Sequence, residues 1–501
     1  MFFAREKVVV RSREDHNISR RNIDPDALRV LYRLSNAGFT AYLVGGSVRD
    51  LLMGRQPKDF DVGTDAHPGQ IRKLFRNCFL VGRRFRLAHI LFGRKAIETS
   101  TFRKPPPADE ADEGVPGGLY QHEDNTFGTP EEDARRRDFT VNGLFYDIRT
   151  FSVIDYVGGL RDLERRTLRT IGDPNIRFRE DPVRMMRAVR FAARLDFRIE
   201  WSCRRAIRRH YPEIVHASTP RVLEEIMRLF GHRAAAPAFR LLWEYGLMSV
   251  LLPEVHAFVE SGGGGRSPLW AHLAALDAER DSEALSSGLR LAALYAPMHH
   301  ARLREAAARG EHAHGLAVAQ ALLQPLSQRM RLPRQTYYTA CMLLDAQRRF
   351  EEGGRRPRRQ RLARHELFRD AIALRRIALA ASGGDAGSLR EWEEIAQRAA
   401  IRPPEREEHA LPAPPPAAAH GAPPPGPAEQ GSEAPGFEPR RRRRRRGGRR
   451  HRRPHEAVPA GDAASPADAP APTPAPAAAP PSAPTPAPRP VGEGERPADA
   501  G

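Results

Sequence analysis

Cysteine is scarce in this chain. Its 501 residues include three, Cys78, Cys203 and Cys341, far apart and without a C-x-x-C pair. That spacing excludes a disulfide framework and a cysteine-based zinc site. Each cysteine reads instead as a small buried apolar residue. Long apolar runs are missing too, and no stretch approaches the roughly 20 residues that a membrane-spanning helix needs. The opening MFFAREKVVVRSRED is broken by charges before a run of signal-peptide length develops. The expectation is a soluble, cytoplasmic protein with no membrane span. No internal repeat is apparent.

Basic charge and C-terminal proline are abundant. There are 81 Lys and Arg against 62 Asp and Glu, a formal net charge of +19. Eleven arginines crowd into residues 440–453: Arg440, Arg441, Arg442, Arg443, Arg444, Arg445, Arg446, Arg449, Arg450, Arg452 and Arg453. Of the 45 prolines, 26 fall after residue 400. Residues 401–501 are therefore expected to be a disordered Pro/Ala/Arg-rich tail that buries too little apolar area to fold. A basic excess so concentrated favours a polyanionic partner.

The rest of the chain is expected to divide into a flexible lead at 1–22, an α/β head at 23–165, a helical neck at 166–255 and a helical body at 256–400. Asp24 as N-cap and Pro25 in the first turn open a helix with Leu28, Leu31 and Leu34 on one face, stopped by Gly38. Short apolar strands are expected at Ala41–Val44, Phe60–Val62, Leu87–Phe92 and Ala96–Thr101, and a strand pattern over Phe145–Tyr156. Residues 103–129, rich in Pro, Gly, Asp and Glu, read as a long mobile insertion. From Asp181 onward the pattern is helical, but after residue 255 its boundaries are not readable.

The most informative stretch is LVGGSVRDLLMGRQPKDFDV, residues 43–62. Side chains alternate across a strand, so Asp59 and Asp61 project to one face and Phe60 and Val62 to the other. Two carboxylates on one face repel unless a divalent cation lies between them, and hard oxygen ligands suit Mg²⁺ with substrate phosphates. Upstream, Gly45-Gly46 joins a strand to a short helix, which lets backbone N–H groups approach a triphosphate. Arg49 would add a charged fork to those phosphates. A lone DxD is more often a solvated surface pair, and a lone GG an ordinary turn. In order and separated by one helix, they point to phosphoryl or nucleotidyl chemistry.

GGSVRD followed by DFD resembles the head of the nucleotidyltransferases related in fold to DNA polymerase beta. More narrowly, it resembles the tRNA nucleotidyltransferase/poly(A) polymerase family of bacteria. EEDARRRDFTVNGLFYD (131–147) and EDPVRMMRAVRFAARL (180–195) match further family motifs in the same order, so the likeness covers about residues 18–255. It implies an α+β fold: a polymerase-beta-like head with a mixed sheet, followed by an all-helical neck and body. Ser47 departs from the third glycine often found in related poly(A) polymerases.

The resemblance also implies residue roles. Asp59 and Asp61 would hold Mg²⁺, two ions in all, with Asp138 as third acidic residue and Arg137 binding the incoming nucleotide. Spacing alone reads residues 131–138 as a solvated charged helix end, and strand alternation makes Glu98 a rival third carboxylate. Asp181 and Arg184 would read the base edge, the carboxylate accepting from adenine N6–H and the guanidinium donating to N1. On local grounds alone Asp181 is an N-cap ahead of Pro182. Arg187 reads as ligand-binding, Arg194 as structural, and His89 as a packed polar residue. The implied activity is template-independent transfer of AMP from ATP to RNA 3′ ends, in mRNA and small RNAs, held largely through their phosphates. The basic strand pair near residues 81–93 and the arginine-rich tail favour this over a CCA-adding enzyme acting on tRNA. A non-catalytic RNA-binding adaptor is the alternative of another class.

Overall fold

A computed structural model of the chain describes residues 7–82, 86–104, 127–279, 282–352, 363–384 and 387–401. The expected insertion at 103–129 lies largely outside these residues. So do the tail beyond Ile401 and all eleven arginines at 440–453.

The first element corrects the flexible lead expected at 1–22. Strand β1 (Val9–Arg11) pairs antiparallel with residues 153–155, and Ile18 is buried. Three residues are too few to display a period of two, and their partners lie far along the chain. Helix α1 (Pro25–Asn36) is capped as expected, Asp24 Oδ1 accepting the N–H groups of Asp26 and Ala27. Its face of Ala27, Val30, Leu31 and Leu34 is fully buried. β2 (Ala41–Val44) then runs into α2 (Gly46–Leu52), followed by β3 (Asp61–Thr64) and α3 (Pro68–Leu74). β4 (Cys78–Val81), β5 (Leu87–Phe92), β6 (Lys95–Thr101) and α4 (Pro130–Arg136) come next. A hairpin of β7 (Leu144–Asp147) and β8 (Ser152–Asp155) leads to α5 (Gly159–Glu164). The single strand pattern over 145–156 is thus two strands, turned through Phe151, whose φ is 53°.

The eight strands form one sheet in the order β1-β8-β7-β2-β3-β6-β5-β4. β3 and β6 pair in parallel and the remaining neighbours antiparallel, which makes the sheet mixed as expected. β3 begins at Asp61, so Asp59 precedes the strand. The alternation persists nonetheless: Phe60 and Val62 are buried, while Asp59 and Asp61 are open.

The helical part follows two short parallel strands, β9 (Thr167–Leu168) and β10 (Arg198–Ile199). Between them lie α6 (Pro174–Glu180) and α7 (Val183–Leu195). Beyond them come α8 (Trp201–His210), α9 (Thr219–Leu229), α10 (Ala235–Glu244), α11 (Leu247–Leu251) and α12 (Pro253–Ser261). The region without readable boundaries holds α13 (Pro268–Ala278), α14 (Ser287–Ala308), α15 (Gly315–Met330) and α16 (Arg334–Glu352). α17 (Phe368–Ser382) and α18 (Gly387–Ile401) complete it. One hydrophobic cluster runs from Phe139 to Trp392 across residue 255. α13 shows why such ends are hard to read: Leu269, Trp270, His272, Leu273 and Leu276 are buried on one face, but the exposed face carries Ala271, Ala274 and Ala278, so polarity does not set it apart. No described helix is long and apolar enough to cross a membrane.

Gly159 joins the hairpin to the segment that carries the site. A Cβ there would lie 2.2 Å from the Thr140 carbonyl oxygen, a backbone atom that has no side-chain freedom to yield. Gly159→Ala is expected to cost about 1–3 kcal/mol, as for other overpacked positions. Urea unfolding checks this, and an unchanged midpoint would mean that the turn Thr140–Asn142 relaxes freely.

Candidate active site

A cleft of about 940 Å³ opens between the head sheet and helices α7 and α9. Gly46, Arg49, Asp59, Asp61, Arg137, Asp138, Asp181, Arg184 and Arg187 all line it. Gly45 lies just behind. Residues drawn from four separate stretches of sequence thus converge on one space.

One wall is acidic. Among the described residues, neither Asp59 nor Asp61 accepts a side-chain hydrogen bond or forms an ion pair. The β3–β6 register places Val62 opposite Thr99 and hence Asp61 beside Glu98. Burial against the wall of the cleft, then the Glu98 carboxylate, push the Asp61 pKa up to about 6; Arg137 opposes them and Asp59 adds to them. Glu98 is half exposed, and across β5 it faces His89, with Nε2 3.9 Å from Oε1. His89, expected as a packed polar residue, is partly exposed there, on the same face as Leu87 and Leu91. Ala88 and Ile90 take the buried face of β5, and His89 the opposite one.

Asp138 is placed differently. Arg187 grips its Oδ2 through Nε at 2.9 Å and Nη2 at 2.5 Å. Asn142 Nδ2 and the Phe139 N–H donate to Oδ1 at 3.0 and 2.8 Å. Burial pushes this carboxyl upward, but the Arg187 charge and the hydrogen bonds override it and hold the pKa near 2. Asp138 is thus an anion already compensated by protein, whereas Glu98 is the carboxylate that crowds Asp61.

The glycine turn and Arg49 also differ from expectation. Arg49 is 1% exposed. Its Nε donates to Asp50 Oδ1 at 2.8 Å and its Nη1 to Asn142 Oδ1. It is a clamp inside the protein and not a fork open to phosphates, because a buried guanidinium must keep its partners. Gly45 has φ +72°, and its N–H is spent on the Leu144 carbonyl at 2.9 Å. A Cβ on Gly45 would lie 2.7 Å from Arg137 Nη1. The glycine there makes room for an arginine.

Arg137 is held in turn by Asp133, whose Oδ2 accepts from Nη2 at 3.0 Å and Nε at 3.2 Å. Asp133 is 1% exposed and also binds Arg136. This corrects the solvated helix end read from spacing: α4 buries the carboxylate that aims both arginines.

Asp181 does cap α7 locally, its Oδ1 accepting the Val183 N–H at 3.2 Å. It also receives both Arg221 Nη groups, at 3.1 and 2.6 Å. Arg184 donates to Glu180 Oε2 at 2.8 Å and to the Arg177 carbonyl at 3.0 Å. The two residues expected to read a base are near one another but bonded to other partners. Arg194 is structural as expected, its Nη2 lying 2.7 Å from Asp50 Oδ2.

Sequence reasoning missed Asp133, Asn142, Arg221 and Glu225. Glu225 is 3% exposed and gathers Arg187, Arg190 and Arg228. Only Asn142 carried a local signal, as the last residue of the RRDFTVN stretch. Among the described residues no three His, Cys, Asp or Glu side chains form a ready metal cage. That donor set still fits Mg²⁺, which binds through one or two carboxylates and takes its remaining oxygens from water and substrate phosphates.

Comparison with known proteins is consistent with this cleft. Residues 41–169 match the family described as "Poly A polymerase head domain". Residues 196–259 match "Probable RNA and SrmB- binding site of polymerase A". The chain is 49% identical to poly(A) polymerase I of Salmonella typhi over 265 residues, 52% of this chain and 57% of that protein. It is 37% identical to the CCA-adding enzyme of Bacillus licheniformis over 225 residues, 45% of this chain and 55% of the enzyme. The match spans little more than half the length of these relatives. Among solved structures, the Bacillus stearothermophilus CCA-adding enzyme in complex with CTP aligns with a TM-score of 0.54 at 29% identity, covering 76% of this chain and 83% of that one. Through residues 41–169 and 196–259, the chain is similar to proteins of the tRNA nucleotidyltransferase/poly(A) polymerase family.

Proposed function

We propose that the protein is a cytoplasmic, template-independent polynucleotide adenylyltransferase that transfers AMP from ATP to RNA 3′-hydroxyls and releases pyrophosphate. The observation that carries this reading is the convergence of the acidic pair and the arginine-rich wall on one cleft. The acidic side is short of positive charge, and the opposite side presents Arg137, Arg184 and Arg187, which suits a triphosphate between them. Higher identity to poly(A) polymerase I than to the CCA-adding relative favours adenylate tails over CCA. Incubation with RNA, Mg²⁺ and each nucleotide separately tests it. Long A tracts are expected. CCA formed only on tRNA would replace this reading with the alternative, and no product with either RNA would favour an adaptor.

Asp59 and Asp61 would hold Mg²⁺, and two such ions, when bound, lower the pKa of an attacking hydroxyl and neutralise triphosphate charge. Arg137, seated by Asp133, orients the phosphates. Glu98 shares the acidic face with Asp61 and completes its charge. Asp138 acts as a positioning residue: it fixes Arg187 on one side and Asn142, hence Arg49, on the other. Asp181 and Arg184 line the same cleft where the base would lie.

The carboxylates are thereby separable. Asp59→Ala and Asp61→Ala should abolish AMP transfer while the melting temperature barely moves, since neither side chain has a protein partner to lose. Asp138→Asn should lower both, costing roughly 3 kcal/mol as a severed buried ion pair. Its folded pKa lies below the unfolded value of about 3.9, so the stabilisation is present above that pH and lost as pH falls through the folded pKa. Urea unfolding of the two proteins should differ by a constant amount from pH 7 to about 4 and converge toward pH 2. A pH-independent gap would exclude a carboxylate–guanidinium origin.

We further propose that the eleven arginines of 440–453 add affinity for RNA without taking part in the chemistry. Phosphate contacts release counterions, so this affinity falls steeply with salt. Truncation after Ile401 should raise KM for RNA and flatten its salt dependence, with kcat at saturating RNA nearly unchanged. A collapse of kcat would instead place the tail in the active enzyme.

A further inference from the structure

The sheet face that carries Asp61 continues past the cleft. The parallel β3–β6 register sets Asp61 beside Glu98, and the antiparallel registers set His89 opposite Glu98 and Phe79 opposite His89. Residues side by side in a ladder share a face, so Asp61, Glu98, His89 and Phe79 form one row across β3, β6, β5 and β4. In the next row Cys78, Ile90 and Ile97 are buried on the opposite face, whereas Phe79 and Val81 are 61% and 49% exposed. Glu98, His89 and Phe79 lie outside the lining of the cleft itself. Adjacent strands are about 4.8 Å apart, so three steps carry the row roughly 14 Å from Asp61 to Phe79 at the sheet edge.

The chemistry proposed for the cleft gives this row a direction. Phosphoryl-type transfer holds the attacking and leaving oxygens roughly in line, on opposite sides of the transferred phosphorus. Arg137, one of the arginines suited to the triphosphate, stands on the β2 side of Asp61: a Cβ on Gly45, just past the end of β2, would lie 2.7 Å from its Nη1. β2 and β6 flank β3 on opposite sides. With the leaving group toward the arginines, the strand that brings the hydroxyl approaches over β6, β5 and β4.

We propose that this open face seats the last two or three nucleotides of the RNA, with one base stacked on Phe79 and the chain running over His89 to the acidic pair. The inference rests on the adenylyltransferase reading and deepens it by naming the seat of the acceptor strand. Exposed aromatic rings on a sheet hold two or three bases of single-stranded RNA in other folds. Stacking is indifferent to sequence, because every base has a π-face, and a template-independent enzyme needs that indifference. Val81, paired with Leu87, widens the apolar seat, and the exposed Arg86 at the start of β5 can meet a phosphate.

Photocrosslinking tests this on the full chain, using oligoadenylate with a single 5-iodouridine at each of the last four positions in turn, with Mg²⁺ and no nucleotide. Crosslinks from the second or third position before the 3′ end are expected on peptides of β4 and β5. Phe79→Ser should raise KM for RNA roughly tenfold, the worth of one base stacked on a ring, without raising KM for ATP. The measurement belongs at high salt, where phosphate contacts contribute least. Phe79→Tyr should restore KM for RNA, which a merely structural role for the ring on the open face does not require. Should Phe79→Ser melt early, His89→Ala on the same face should raise KM for RNA in its place. Crosslinks confined to neck, body or tail peptides, or an unchanged KM for RNA in the folded variants, would overturn the seat and leave the adenylyltransferase reading standing. Absence of AMP transfer to any RNA would overturn that reading instead, and the crosslinks alone would then decide whether this face holds RNA.

Discussion

The buried guanidinium of Arg49 ties the head to the neck. At 1% exposure it has left water entirely, and desolvating an unpaired charge costs several kcal/mol, so its contacts to Asp50 and Asn142 are obligatory. Asp50 in turn receives Arg194, and Asn142 donates to Asp138, which holds Arg187. Both outer arginines belong to α7. The short helix after the glycine turn, the 3-10 turn at 140–142 and α7 are thus fixed through one connected chain of ion pairs and hydrogen bonds. Loss of any inner member strands the next, which is why such a network holds one geometry more firmly than its net energy suggests.

That geometry leaves the cleft electrically divided. Most arginines facing it are already seated: Arg137 on Asp133, Arg187 on Asp138 and Glu225, Arg184 on Glu180. Asp59 and Asp61 have no such partner, and the neighbouring Glu98 makes the deficit worse, as the upward pKa of Asp61 records. A protein relieves such repulsion by protonation or by accepting a cation. At neutral pH, with a pKa near 6, the cation is the more effective remedy. The acidic wall is therefore the open part of the site and the basic wall its preset part.

The parts of this arrangement readable in sequence are those set by near neighbours. Asp24 and Pro25 announce α1 because a cap bonds two and three residues away, and the Asp59–Asp61 alternation survives although the strand starts one residue later than expected. Strand β1 is invisible in sequence because Val9–Arg11 means nothing without Val153–Asp155 beside it. Arg49 misleads for the same reason: a guanidinium next to a glycine turn looks like a phosphate ligand until Asn142 folds against it. In the body, a helix such as α13 whose exposed face is mostly alanine loses the polar contrast from which a one-sided period is read. The family resemblance supplies the membership of the cleft, but not which of its charges are already spent.

Asp181 and Arg184, proposed above to lie where the base would be read, show what that distinction entails. Asp181 Oδ1 serves the Val183 N–H and Arg221 together, and Oδ2 is bonded to Arg221 at 2.6 Å. Arg184 is engaged with Glu180 and a carbonyl. A base edge that draws on both residues must displace or share charge-assisted bonds, each worth about 1.5–3 kcal/mol. Only a base that returns a complementary donor and acceptor at once repays both losses; one that satisfies a single partner leaves the other stranded. If the pair reads the base as proposed, selectivity would arise less from the new bonds to a correct base than from the existing bonds that a wrong base breaks and does not replace. Arg221, 40 residues from Asp181 and outside the GGSVRD, DFD, RRDFTVN and EDPVRMM stretches, would then belong to that proposed selection as much as the pair itself.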